Sequence, residues 1–334
     1  MPRAKSVILL AAIASVLGIG AGRAAQPIET ICAKATSEPM LTWYSSQEAT
    51  RNEAAIAAFH KVYPQVKVES LRLVTGKLAA RYAAERTSGV NNAGLITLGD
   101  PIFIASGQAS GWFVDFDKSD LPALAKLDPR WFSHGAATST ISILGISYNK
   151  SRVGGNPPKT WTDLLDPKYK GQIILGDPRS VPSYLALTRL WSEQYGDDFL
   201  KKLAAQQPTI VPSVVPVTQQ LAVGEVAIVV PNVLSVVTPL KQAGAPIDIV
   251  IPDMTTGNEF VVLMSKGTSS PNAAACLYNF LFTPEGQDAF TGPVSASTMG
   301  AHGEVPGLPS NYIDPRIPEL GPIQGRLLSL LGLN

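Results

Sequence analysis

Apolar positions along this chain fall into two patterns, short runs bounded by polar turns and longer stretches with one apolar face per helical turn. Residues 40–44 (MLTWY) are the first short run and predict a strand. Ser45-Ser46-Gln47-Glu48 follows and matches a capping box, with Ser45 at the N-cap and Glu48 at N3. Ala55, Ile56, Phe59, Val62 and Tyr63 then share one helical face, His60 falls on its polar side, and Pro64 stops it. Residues 66–74 predict a second strand, Thr75-Gly76 breaks it, and residues 77–86 read as a second helix. Residues 95–98 (LITL) predict a third strand, which ends at Gly99-Asp100-Pro101 before a helix over 102–108. This β-α-β-α-β order implies a parallel α/β sheet. Ligands bind such sheets outside the carboxyl ends of the strands. Those ends are Ser45-Ser46, Thr75-Gly76 and Gly99-Asp100, each of which also suits a helix cap.

Residues 115–131 are irregular, and residues 139–149 (STISILGISYN) alternate as a long strand. After the turn at 154–158, residues 160–165 begin a short helix. Further along, residues 219–224 end a helix and 225–230 form a strand. Pro231-Asn232 starts a helix over 233–242, 247–251 and 259–265 are strands, and 273–281 is helical. Between these lies residues 171–191 (GQIILGDPRSVPSYLALTRLW), an apolar run, a polar turn and the apolar face of a new helix. A helix starting in that turn points unpaired N–H groups at whatever lies in front of it. Ser180 and Ser183 are favourable N-cap residues, and Arg179 offers a planar, permanently charged fork to a carboxylate or phosphate. Strand, turn and helix start together form an anion cradle. The same residues also suit a capped helix beside a solvated arginine.

Residues 1–25 stand apart from this pattern. Arg3 and Lys5 are basic, residues 7–19 are apolar but too short for a membrane span, and small residues follow. Cleavage after Ala24 would leave Gly22 and Ala24 at the small-residue positions of an export signal. The expectation is a periplasmic protein with no membrane span after signal cleavage. Gly18, Gly20 and Gly22 lie inside this leader and form no nucleotide-binding loop. Glu29-Thr30-Ile31 before Cys32 argues against a lipoprotein.

Composition narrows the function. With 27 Lys+Arg against 26 Asp+Glu, the formal net charge is +1, so electrostatics gives no case for nucleic acid. Charged residues are 16% and apolar ones 45%, which fits a folded chain and not a disordered one. Cys32 and Cys276 are the two cysteines, and in an oxidising compartment they either pair or remain two buried thiols. No nucleophile elbow Gly-x-Ser-x-Gly occurs, since residues 145–149 (GISYN) lack the last glycine. His60, His134 and His302 are too far apart for a zinc-hydrolase motif. A pair of glycosidase carboxylates carries no motif that inspection would detect.

The order of motifs resembles a known family, the extracellular solute-binding proteins of bacterial ABC transporters, in the group that includes ferric-ion, thiamine, phosphonate and polyamine binders. The matching stretches are the export signal, TWYSSQEA, TWTDLLDPKYKGQI, AVGEVAIVVPN and LFTPEGQDAF. The resemblance implies an α/β, two-lobed type II periplasmic binding fold whose lobes close on a ligand in the cleft between them. Lobe one would be residues 26–138 and 256–334, lobe two residues 139–255, with crossing strands near 139–147 and 249–263. It implies a monomer that delivers a small molecule to a permease in the inner membrane, with no catalysis and no cofactor. Carried onto this chain, the ligand would meet Ser45, Ser46, Gly99 and Asp100 from lobe one and Arg179, Ser180, Ser183 and Asn232 from lobe two. Cys32 and Cys276 would form a disulfide joining early and late parts of lobe one. Ferric-binding members carry adjacent tyrosines where this chain has Val233 and Leu234, and aliphatic groups cannot ligate a hard cation. The expected ligand is therefore a small organic anion, a carboxylate, phosphonate or phosphate ester. Alternatives are a ferric ion or ferric complex, a secreted hydrolase, and a binding protein that feeds a sensor.

Overall fold

The apolar runs become strands in a computed structural model that describes residues 26–333, so the leader expected over 1–25 lies outside the described residues. In chain order the strands are β1 (Leu41–Ser45), β2 (Val68–Arg72), β3 (Leu95–Leu98), β4 (Phe132–Ser133), β5 (Ala136–Asn149), β6 (Ile173–Gly176), β7 (Thr209–Val211), β8 (Ile228–Val233), β9 (Ile247–Val250), β10 (Gly257–Met264) and β11 (Ala296–Ser297). They are linked in the order β2-β1-β3-β10-β5-β8-β6-β7, with β4, β9 and β11 also on β5. β1 runs parallel to β2 and β3, as the β-α-β-α-β order implies, and β6 runs parallel to β7 and β8.

β5 joins the two halves. Its residues 137–143 pair with β10 in the first sheet region, and its residues 144–149 pair with β8 and β9 in the second. All but one of its residues are buried, as a strand covered on both faces requires. Each half has its own core. Trp43, Phe59, Leu95, Leu277 and Phe290 anchor the first, and Leu144, Trp161, Trp191, Phe199 and Ile228 the second. A disulfide joins Cys32 to Cys276 with Cα atoms 5.2 Å apart, tying helix Ile28–Ala35 to helix Pro271–Phe280.

Several sequence expectations need correction. Ser45 forms no capping box. It is the last residue of β1, its hydroxyl donates to Asn52 and accepts from the N–H of Gln47, and the helix Ala49–Val62 starts later with Glu48 at its N-cap. Neither Ser180 nor Ser183 caps the cradle helix. It spans Pro182–Tyr195 with Val181 at the N-cap, because proline is pre-set for the first helical position. Asn232 lies inside β8, and the next helix begins at Leu234. The chain's end also departs from the expected boundary. Ile317, Leu320, Leu327 and Leu331 are buried in the second core, so the helix Gly321–Leu330 packs with residues of lobe two, although 256–334 was assigned to lobe one.

Candidate ligand-binding cleft

Five strands lead into helices that start around one space. β1, β2, β6, β7 and β8 stop at Ser45, Arg72, Gly176, Val211 and Val233, and the chain then turns into helices. Helices Ala49–Val62, Thr75–Thr87, Pro182–Tyr195, Val214–Ala222 and Leu234–Gln242 have Glu48, Val74, Val181, Ser213 and Val233 at their N-caps. All five N-cap residues line one cavity of about 50 Å³ between the halves. None of the five helices has a side-chain hydrogen bond capping its first turn. Helices Ile28–Ala35, Asp197–Ala205 and Gly321–Leu330 also start without a side-chain cap, but away from this cavity, and other helix starts are served by side chains. Asp100 caps Pro101–Ala109, Thr283 caps Pro284–Phe290, and the Glu38 carboxylate accepts from the N–H groups of Asn272 and Ala273 at the start of Pro271–Phe280. Five uncapped N-termini around one space concentrate orphan N–H groups and the positive ends of helix dipoles.

The side chains here are also unsatisfied. Ser46, Gln47, Ser183 and Ser235 are all less than a tenth exposed. The hydroxyls of the three serines and the Gln47 Nε2 have no hydrogen-bond partner. The same holds for the Nε of Arg51 and Arg72, the Oε2 of Glu48 and the Oδ1 of Asn258. Buried polar atoms are almost always paired in folded proteins, so this concentration makes the cavity the candidate ligand site. Arg72, Asn258 and Tyr184 line the cavity itself.

Burial pushes the Glu48 carboxyl up from its ordinary range, against the opposing effects of its own backbone and of Arg72 and Arg51. Ser235 approaches that carboxyl from the other half without reaching hydrogen-bond geometry. Burial also holds the Tyr184 hydroxyl far above its usual value, with Glu48 adding to the effect and Arg72 opposing it. The halves touch here. A Cβ on Gly76, in the first turn of Thr75–Thr87, would stand 3.5 Å from the Ser180 carbonyl oxygen. Among the described residues there is no cluster of three or more His, Cys, Asp or Glu that could hold a metal ion.

The residues singled out from the sequence are distributed over three settings. Ser46 lines the cavity, and Ser183 sits buried in the first turn of Pro182–Tyr195 with its hydroxyl unpartnered. Gly99 lies under Asn258, where a side chain of its own would collide with that amide. Ser45 and Asn232 serve the scaffold. Ser45 is bonded to Asn52, and Asn232 donates to Ser147 and Thr218 and accepts from the N–H of Val233. Asp100 and Arg179 are brought together in a separate outer crevice of about 390 Å³, with Ser106 and Gln324. There Asp100 caps Phe103, and Arg179 forks onto Asp177. Ser180 donates its N–H to the Asp177 carbonyl. Burial works against the charged form of Asp177, yet the Arg179 side chain and N–H hold its carboxyl below the usual range.

Glu48, Arg72, Tyr184 and Asn258 line the cavity and are not among the site residues that the sequence singles out. Arg72 carried a usable signal, a lone charge near the carboxyl end of an expected strand. Asn258 carried none, because its place depends on an antiparallel crossing strand distant in sequence.

The sequence profile of the bacterial extracellular solute-binding proteins matches residues 92–311. An uncharacterized protein of Haemophilus influenzae is 32% identical over 164 residues, 46% of this chain and 47% of that protein. The spermidine/putrescine-binding periplasmic protein 1 of the same organism is 28% identical over 108 residues, 30% of each chain. The chain thus spans about half, or less, of the length of the curated relatives it matches. Among solved structures, the periplasmic binding protein AfuA from Actinobacillus pleuropneumoniae, with exogenous fructose-6-phosphate bound, aligns with a TM-score of 0.73 and 22% identity. That alignment covers 88% of this chain and 99% of that one. At this identity the likeness is one of fold, the two-lobed type II periplasmic binding architecture.

Proposed function

This chain belongs to the bacterial extracellular solute-binding proteins, and from that premise we propose that it captures a small organic anion between its lobes and presents it to an ABC permease of the inner membrane. The ligand is a carboxylate, phosphonate or phosphate ester whose anionic group sits in front of the five uncapped helix starts, with Arg72 beside it. The observation that carries this reading is the convergence of those N-termini on one cavity. Positive helix ends and an arginine in a desolvated space favour negative charge on the ligand. They disfavour a polyamine, the ligand class in the printed name of one relative, because a cation would face Arg51 and Arg72.

Size points the same way. Pockets for drug-sized molecules enclose roughly 300–1,000 Å³. A cavity of about 50 Å³ suits a compact ligand in this arrangement of the lobes. Lobe closure over it leaves the complex to be recognised by the permease, and the reading involves no chemical step. The test is a thermal-shift screen of small carboxylates, phosphonates, phosphate esters, polyamines and ferric salts, followed by calorimetry of each hit. A ligand that binds only the native state raises the melting temperature. Anions alone are expected to raise it, and a shift produced only by polyamines or ferric salts would refute the reading.

A further inference from the structure

An anion can only accept hydrogen bonds, and the cleft contains groups that an anion cannot satisfy. The Nε atoms of Arg51 and Arg72 and the Gln47 Nε2 are donors without acceptors, which an anion can fill. The Glu48 Oε2 and the Asn258 Oδ1 are acceptors without donors, in residues that line the same cavity. Resting on the anion reading above, we propose that the solute is a compact anion that also bears a hydroxyl or ammonium donor, and that Glu48 receives this donor with Asn258 as the second acceptor.

The placement supports this division of labour. Glu48 is the N-cap of Ala49–Val62, so its backbone stands at a positive helix end while its carboxyl reaches the cavity wall. Arg51 and Arg72 both act on that carboxyl. The two guanidiniums outnumber the single carboxylate, which leaves room for one negative charge on the ligand. A bare anion would cancel that charge but would leave the Glu48 oxygen buried, unpaired and facing a like charge. A ligand donor removes both penalties at once. Burial already disfavours the charged form of Glu48, so the empty cleft stands to gain from such a partner.

Isosteric pairs test the idea, with a carboxylate arm of glycolate against propionate and a phosphonate arm of aminomethylphosphonate against ethylphosphonate. Calorimetry on the purified protein is expected to show the donor-bearing member binding about tenfold tighter in at least one arm, the size set by one satisfied buried acceptor. Glu48→Ala should reduce that advantage to less than about threefold. Glu48→Gln, which keeps an acceptor oxygen without the charge, should retain it for glycolate and lose it for the aminophosphonate. Melting curves establish that each variant is folded. Equal affinity within both pairs, with binding still dependent on Arg72, would overturn the donor proposal and leave the anion reading standing. Binding of putrescine with no response to any of the four anions at roughly 1 mM would remove both.

Discussion

The Arg179 guanidinium lies on the carboxylate of Asp177, with Nε 3.0 Å from Oδ1 and Nη2 2.9 Å from Oδ2. The local turn thus supplies an anion of its own to the arginine that sequence reasoning offered to the ligand. Arg72 is placed differently, with a buried Nε that has no partner at the end of β2. Removing Arg72 should therefore weaken binding of a small anion far more than removing Arg179. We expect Arg72→Ala to cost on the order of 2–5 kcal/mol, the range for a desolvated charge-assisted pair. Arg72→Lys should recover only part, because the planar fork is lost. Arg179→Ala should change the affinity less than about threefold. Calorimetry on the three variants checks this, and a larger loss in Arg179→Ala than in Arg72→Ala would return the anion contact to the outer crevice.

The disulfide between Cys32 and Cys276 closes a loop with a sequence separation of 244. Both residues lie in the first core and outside the cavity lining. Replacing both with alanine should lower the unfolding free energy by about 2–4 kcal/mol, chiefly through a less constrained unfolded chain. Ligand affinity should stay within about twofold. Guanidinium unfolding of the double variant, beside the native protein with and without reductant, reads the first quantity and calorimetry the second. Equal midpoints in all samples would contradict the prediction.

Burial raises the Glu259 carboxyl from the model-peptide value of 4.5 to about 7, with Asp314 adding to the rise and with Tyr312 and Arg130 opposing it. Its partner is the Tyr312 hydroxyl, which donates to Oε1. The sign follows from proton counting. Between about pH 4.5 and 7 the folded state holds a proton that the unfolded chain has released, so stability falls as pH rises through that window. The loss should total about 3 kcal/mol and level off above pH 7. Glu259→Gln keeps an acceptor for Tyr312 and removes the titration. It should therefore be more stable than the native protein at pH 8 and nearly equal to it at pH 4.5. Unfolding curves at several pH values decide this, and parallel pH profiles of the two proteins would exclude Glu259 as the source.

The parts of the fold that were legible were those where one run of residues decides its own structure. Leu95–Leu98 and Ile173–Gly176 are short, mainly apolar runs that end at glycine, and both are strands. The site was less legible for a specific reason. Sequence rules find helix starts by their capping residues, and so they favour Ser45, Ser180 and Ser183. Of the five helix starts that face the cavity, three have Val74, Val181 and Val233 at the N-cap, and none has a side-chain cap. A valine N-cap lacks the signature that would reveal such a start. Ser46 was found because the strand-end rule depends on topology and not on caps. The placement of residues 317–331 on the second core was hidden, since an amphipathic helix does not state which core it covers.

Gly99 shows how tightly the crossing strand approaches the cleft. It follows β3, whose Leu98 is paired with Val261 of β10. A Cβ at this position would stand 2.1 Å from the Asn258 Oδ1 and 2.8 Å from the Glu259 carbonyl oxygen. The amide belongs to a movable side chain, whereas the carbonyl belongs to a backbone strand paired on both sides, with β3 and β5. Gly99→Ala should therefore swing the Asn258 amide aside and also strain β10. We expect a stability loss of about 1–3 kcal/mol, typical of overpacking, and a ligand affinity about tenfold weaker because a cavity-lining amide has moved. Asn258→Ala separates the two effects. In that background the same glycine substitution should cost less stability, since only the clash with the Glu259 carbonyl remains, and should have little further effect on affinity. A double-mutant cycle in urea and calorimetry gives both couplings. Additive losses would mean that the Asn258 amide and the Gly99 backbone are not packed against each other as the structure has them.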